Sequence, residues 1–161
     1  NQQADTEQEY SISIVEGKDT IIKKSKISTD HACNEICIFS NLQRWNHMKM
    51  ELCETVEKAL KRGVKYRVIM DNCTGDYFFS KEFKSILIHP HYETRMASEK
   101  LKINASLFDD KEACFSLYLS KNLAETPMIW TNHPSLMIGF RDHFENVWSS
   151  SEKIDLKTKI K

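Results

Sequence analysis

Two hydrophobic periods alternate along the chain, one of two residues and one of three to four, and their boundaries predict the elements. Ser11 to Val15 alternates as a short strand, and Gly17 then separates it from a weakly amphipathic helix, capped by Asp19, that runs to about Cys33. Ile36-Cys37-Ile38-Phe39 is a continuous apolar run closed by Ser40-Asn41, the pattern of a strand buried on both faces of a parallel sheet. From Leu42 to Arg62 the apolar positions Trp45, Met48, Leu52, Val56, Ala59 and Leu60 recur at helical spacing, with Glu54/Lys58 and Glu57/Lys61 as surface pairs. Lys58, Lys61 and Arg62 suit the negative end of that helix, and Gly63 can take the left-handed conformation that ends it. Val64 to Met70 reads as a strand that stops at Asp71-Asn72. Strand, helix and strand in this order make a right-handed βαβ unit, so part of the sheet is parallel.

Further along, a helix is predicted from Tyr77 to Ile88, burying Phe79, Phe83, Ile86 and Leu87 and stopping before Pro90. Leu101, Ile103, Ala105 and Leu107 alternate with polar residues as a strand, the chain turns across Asp109-Asp110-Lys111-Glu112, and Ala113, Phe115, Leu117 and Leu119 form its antiparallel partner. Met128-Ile129-Trp130 is a last strand. Asn132-His133-Pro134 then caps a closing helix that buries Leu136, Met137, Phe140, Phe144, Val147 and Trp148. The fold class expected is α/β, a mixed, partly parallel sheet flanked by helices. Residues 1–9 read as a disordered or tag-like N-terminus, 10–150 as a single domain and 151–161 as a flexible tail.

Composition narrows the function. Of 161 residues 40% are hydrophobic and 29% charged, which suits a folded domain, while 23 basic and 23 acidic residues cancel to a net charge of zero. Without the basic stripe that phosphate neutralisation requires, this segment is expected not to hold duplex DNA by itself. No apolar run approaches the roughly 20 residues that span a bilayer, so no membrane partner is expected and the location is read as cytoplasmic. Cys33, Cys37, Cys53, Cys73 and Cys114 lie scattered through apolar segments and read as reduced, buried structural thiols, since Cys33-x3-Cys37 lacks zinc-knuckle spacing.

His89-Pro90-His91, with Glu93 and Asp71, is a conceivable metal corner, but no further ligand stands at a recognisable spacing and a solvated loop is the simpler reading. Neither a metal nor a cofactor is expected. Trp148 lies on a packed stripe, whereas Trp45 and Trp130, beside Asn46 and Thr131-Asn132, could line a pocket. Glycine-rich phosphate loops, the Gly-x-Ser-x-Gly elbow and His-Glu-x-x-His are all absent. In open α/β sheets ligands sit beyond the carboxyl ends of parallel strands. Three strands end in Ser40-Asn41, Asp71-Asn72 and Thr131-Asn132-His133, so Asn41, Asp71, Asn132 and His133 are the expected ligand-binding residues, with Trp45 as an apolar wall.

Several segments resemble one known family. Glu57-Lys58-Ala59-Leu60-Lys61-Arg62-Gly63-Val64-Lys65-Tyr66-Arg67-Val68-Ile69 is similar to the helix, Arg-Gly-Val and strand of phospholipase-D-like domains, and Ser106-Leu107-Phe108-Asp109-Asp110-Lys111-Glu112-Ala113 to their strand, Asp, turn and strand. Pro127-Met128-Ile129-Trp130-Thr131-Asn132-His133-Pro134, leading into Phe144-x3-Trp148, resembles the ending found in TrmB-type archaeal transcriptional regulators. The resemblance covers about residues 10–150 in the right order. It implies a phospholipase-D-like fold reused for binding a small-molecule effector, a sugar among the candidates, and for homodimerisation. It also implies DNA contact only through a helix-turn-helix domain not present in this chain; similar domains stand in front of archaeal signalling kinases.

Active members of that family need His-x-Lys-x4-Asp. With Asp109 in the Asp place, Lys102 stands where His belongs and Asn104 where Lys belongs; choosing Asp110 gives Ile103 and Ala105. The family's nucleophile is missing, so the expectation is a sensing domain that is not an enzyme. The alternatives are a divergent phosphodiesterase or nuclease of the same fold, and a pure dimerisation module.

Overall fold

Strand β2 (Glu35–Asn41), helix α2 (Leu42–Lys61) and strand β3 (Lys65–Asp71) form a parallel βαβ unit in which Glu35 pairs with Lys65 and Asn41 with Asp71. The computed structural model describes residues 9–71, 77–118 and 126–161. Gly63, at φ 92°, makes the left-handed turn that lets Val64 N–H bond Ala59 O at 3.1 Å and releases the chain into β3. Side chains of β2 are apolar on both faces, so helices must cover both. On one side α1 (Lys18–His31) and α2 pack together over Ile36, Tyr66, Val68 and Met70. On the other, α4 (Pro134–Ser150) lays Met137, Phe140, Phe144 and Trp148 over Cys37, Phe39, Ile69 and Leu107.

Around this unit the sheet extends to eight strands, which lie in the order β1 (Ile12–Val15), β7 (Met128–Thr131), β6 (Glu112–Ser116), β5 (Ala105–Phe108), β2, β3, β4 (Tyr92–Met96) and β8 (Glu152–Lys153). β4 runs parallel to β3, whereas β5, β6, β7 and β1 follow antiparallel to one another, β5 being antiparallel to β2. The β5–β6 hairpin turns at Asp109 and Asp110, both at φ 54°, a conformation that Asp tolerates better than most residues.

Charged groups fasten α4 to the sheet. Arg67 on β3 bonds both carboxylate oxygens of Glu145 on α4 and reaches Glu35 at 2.8 Å, while Arg141 on α4 bonds Glu35 and Asp110 at 2.8 Å each. The Arg67 guanidinium lies 5.1 Å from the Phe144 ring centre and 5.3 Å from that of Trp148, and Arg95 lies 4.2 Å from the latter. The two rings of the Phe-x3-Trp signature thus serve the core and also carry the arginines of the sheet.

Several expectations are corrected. Gly17, not Asp19, stands at the N-cap of α1. The helix expected over Tyr77 to Ile88 shrinks to a 3₁₀ turn (Lys81–Phe83) and α3 (Lys84–Leu87), because Phe79 is drawn into an extended bridge with Ile160. β4, to which the sequence pattern assigned no element, pairs with β3 over its full length. Residues 101–104 lead into β5 without joining it, and Leu136 of α4 is exposed. The segment expected as a flexible tail is ordered: β8 (Glu152–Lys153) pairs with β4 and Leu156 is buried, since Leu156, Ile154 and Ile160 pack on the α2 face of the core. Of the thiols, Cys37 and Cys114 are buried, Cys53 is half-buried, Cys33 is exposed, and Cys73 lies outside the described residues.

Phe144→Ala is expected to cost about 3–5 kcal/mol, since it empties a fully buried ring site under Arg67; urea denaturation measures it. Burial would raise the Glu35 carboxyl, but its bonds to Arg67, Cys37 and Arg141 outweigh that and hold it down at about 2 against an ordinary 4.5. A lowered carboxyl stabilises the fold fully above its unfolded value. The contribution should therefore be complete above about pH 4.5 and fade as the pH falls toward 2, and acid titration of Glu35→Gln should lack that component.

Candidate ligand-binding site

The carboxyl ends of β2 and β3 bring Asn41 and Asp71 side by side. Asn41 caps α2, its Oδ1 accepting from Arg44 N–H at 2.8 Å, and its own N–H donates to Asn104 Oδ1 at 3.0 Å. Asp71 is buried and accepts the N–H of Leu101. The stretch 101–104 is thereby laced across the ends of both strands and delivers Asn104 to the start of β5.

Asn132 and His133 do not join them. β7 runs antiparallel to β6, so its carboxyl end lies at the opposite edge of the sheet, and the expected convergence of three strand ends fails for the third. There Asn132 Oδ1 accepts from Ser11 N–H at 2.7 Å, holding the edge strand, and His133 caps α4 by accepting from Ser135 N–H at 3.3 Å. Asp109 lies at this edge too. Its carboxylate accepts the backbone N–H groups of Cys33, Asn34 and Glu35 at 2.6, 2.8 and 2.8 Å, which ties the hairpin to the start of β2. His89 and His91 sit in an exposed turn where His91 N–H bonds His89 Nδ1, and no cluster of three or more metal-ligating side chains occurs among the described residues.

Behind Asn41 a cavity of about 70 Å³ opens between the α1/α2 layer and strands β2 and β5. Trp45 lines it, 2% exposed, with its indole N–H donated to Tyr92 OH at 2.9 Å. An engineered apolar cavity of about 150 Å³ takes a benzene. A space of 70 Å³ therefore accepts no sugar ring as it is shaped, and an effector of that size finds no room here.

Arg44 and Lys49, which the reading of the sequence did not single out, line the cavity together with Asn104, which it considered only as the residue in the place of the motif Lys. Lys49 is 3% exposed and its ammonium lies 5.6–5.7 Å from the ring centres of Trp45, Tyr66 and Tyr92; it meets no carboxylate among the described residues. Burial pushes it down to about 8 from an ordinary 10.5. Arg44 donates to Ser116 Oγ at 2.9 Å and contacts Met128 Sδ at 3.3 Å, also without an acidic partner among the described residues, and burial lowers it. Asn104, 2% exposed, leaves its Nδ2 without a hydrogen bond. The signal for Lys49 was present: it falls four residues after Trp45 and three before Leu52, on the apolar stripe of α2.

No protein-family model and no curated protein matches the chain. Solved structures do. TrmBL2, an archaeal chromatin protein whose structure shows a novel mode of DNA binding, is 22% identical with a TM-score of 0.66 over 94% of this chain. This chain spans 57% of the length of TrmBL2. NucT from Helicobacter pylori is 14% identical with a TM-score of 0.70, covering 91% of this chain and 100% of NucT. Nuc from Salmonella typhimurium, a phospholipase D family member, is 13% identical with a TM-score of 0.66, covering 91% and 99%. The fold is phospholipase-D-like. These neighbours also overturn the expectation that the chain is not an enzyme: its fold is shared with NucT and with Nuc, a phospholipase D family member.

A lysine held below its unfolded value lowers stability wherever it is charged in the unfolded chain. Stability should accordingly rise as the pH climbs from about 8 to 10.5, and Lys49→Met should gain about 3 kcal/mol at neutral pH and abolish that rise. Thermal unfolding across pH measures both; a less stable Lys49→Met protein would show that the amine serves the fold.

Proposed function

We propose that this chain is a phospholipase-D-like, TrmB-type regulatory domain that senses a small-molecule effector through the cavity beneath α2 and works as a homodimer. One observation carries the reading: Lys49, a cation sealed among three aromatic rings beside a cavity with no carboxylate partner among the described residues, is a cost that a purely structural module would not keep. The cavity touches both helices of one layer and the two central strands β2 and β5. A ligand that prefers one packing of α1 and α2 on the sheet would shift the balance between two arrangements, which is the minimum a sensor needs. Dimerisation is supported by the exposed Ile12 and Ile14 on the edge strand β1, a surface that pairs readily with a second chain. DNA contact, by this reading, passes through a domain outside this chain, in keeping with its zero net charge.

A second reading, phosphodiester cleavage, is favoured by the fold shared with Nuc. Its reactive groups would stand at the Lys102 and Asn104 end of the strand, because Asp109 is engaged with backbone at the far edge.

The test is a thermal-shift panel of common metabolites run beside an assay with a generic phosphodiester. Saturable stabilisation by at least one metabolite, about 2.7 kcal/mol at a hundredfold excess over its dissociation constant, is expected. Asp71→Ala should lower stability by about 1–3 kcal/mol in every condition, because it leaves the buried Leu101 N–H unpaired. Hydrolysis lost on changing Lys102 or Asn104, with no metabolite stabilising the protein, would replace the sensor by the enzyme.

A further inference from the structure

Resting on the reading of the cavity as an effector site, we infer that its ligand is a small monocarboxylate with a short apolar tail, gripped by Arg44, Lys49 and Asn104. Three side chains lining the cavity, Arg44, Lys49 and Asn104, present donors that meet no anionic acceptor among the described residues. Arg44 and Lys49 carry positive charge into the cavity wall with no carboxylate opposite among the described residues, and the Asn104 amide has spent its oxygen on Asn41 N–H while its Nδ2 has no acceptor among them. Two cations and an amide N–H ask for an acceptor bearing negative charge.

The cations approach from the two flanks of α2. Arg44 leans over β6 and β7, where it meets Ser116 and Met128, and Lys49 leans over β3 and β4, where it meets Tyr66 and Tyr92. The cavity lies between them, over β2 and β5.

Size and lining select the kind of anion. At about 70 Å³ the space is under half of what holds a benzene, which leaves room for a few heavy atoms. Beyond Arg44 the walls include Ile38, Met48, Leu52, Val56 and Phe108, which suit a hydrocarbon tail, and of the lining hydroxyls those of Ser25 and Ser40 already donate to Ile21 O and Asn41 O. A carboxylate presents two oxygens in one plane, matching the guanidinium fork of Arg44, and leaves its other end apolar. Such a ligand would restore the charge balance that Lys49 lacks, so its affinity should follow the charge of that amine.

The probe is sodium propionate, titrated into the full chain by calorimetry and thermal unfolding, with sodium chloride at equal ionic strength, sodium phosphate and neutral propionamide as controls. Propionate should stabilise the protein saturably, and phosphate and propionamide should do so at least tenfold more weakly. Arg44→Gln and Lys49→Met should each weaken propionate binding at least tenfold. Lys49→Met, which is expected to fold more stably than the parent, keeps the test valid if Arg44→Gln unfolds. Binding should also weaken as the pH is raised through about 8, where Lys49 loses its proton. Equal or tighter binding of phosphate, full binding by Lys49→Met, or no response to propionate beyond that to chloride would each overturn the carboxylate assignment. Stabilisation by another metabolite alongside failure of propionate would leave the sensor reading standing; failure of every metabolite would remove both.

Discussion

Because β2 carries apolar side chains on both faces, no arrangement that leaves either face wet can hold it, and the rest of the architecture answers that requirement. Parallel pairing with β3 demands a crossover, and α2 supplies it while covering one face. The other face has to be closed by a helix from far along the chain, and α4 is fixed there by Arg67 and Arg141 acting through Glu35, the first residue of the same strand. The crossover also ends β2 at Asn41 and begins α2 at once, so the residues of its first two turns, Arg44, Trp45 and Lys49, are brought over the central strands. The site follows from the way the core is closed.

Two kinds of charge packed against the core result, one partly exposed and one sealed, and they differ in what they do for the protein. Glu35, Arg67, Arg141 and Glu145 compensate one another, and the network joins α4 to β2 and β3, so its polarity serves the fold. Lys49 and Arg44 have no such compensation among the described residues, and burial lowers both. Uncompensated charge in a core lowers stability, and residues that break a local rule without a structural return concentrate at functional sites. This contrast, more than the size of any pocket, directs attention to the α2 side.

Much of the architecture was legible because the signals are local. The apolar run of β2, the stripe of α2, Gly63 and the Asp109-Asp110 turn each declare their conformation from neighbouring residues. What failed depended on distant partners. β4 has little apolar alternation and becomes a strand only because β3 offers it an edge, and the last ten residues are ordered only because β4 and Phe79 are there to receive them. The site was half legible for the same reason. Asn41 and Asp71 end strands whose parallel relation the intervening helix dictates, whereas the direction of β7 depends on two hairpin-like reversals, β5 to β6 and β6 to β7, and the second reversal carries Asn132 and His133 to the far edge.

The position of Asp109 bears on how this fold divides its labour. At one end of β5 an acidic side chain collects three backbone N–H groups and sets the start of β2; at the other, Asn104 holds the N–H of Asn41 and sets its finish. Both ends of the strand thus fix the register of its neighbour, and the Asp of the motif can serve architecture whether or not chemistry occurs at the opposite end. With Lys102 exposed and Asn104 neutral, the positive charge that this edge turns inward comes from α2 and not from β5. Charge carried on a helix can move with that helix. An anion held by Arg44 and Lys49 would therefore act on the packing of α2 against the sheet, whereas one held by a strand at the centre of an eight-stranded sheet would find nothing to displace.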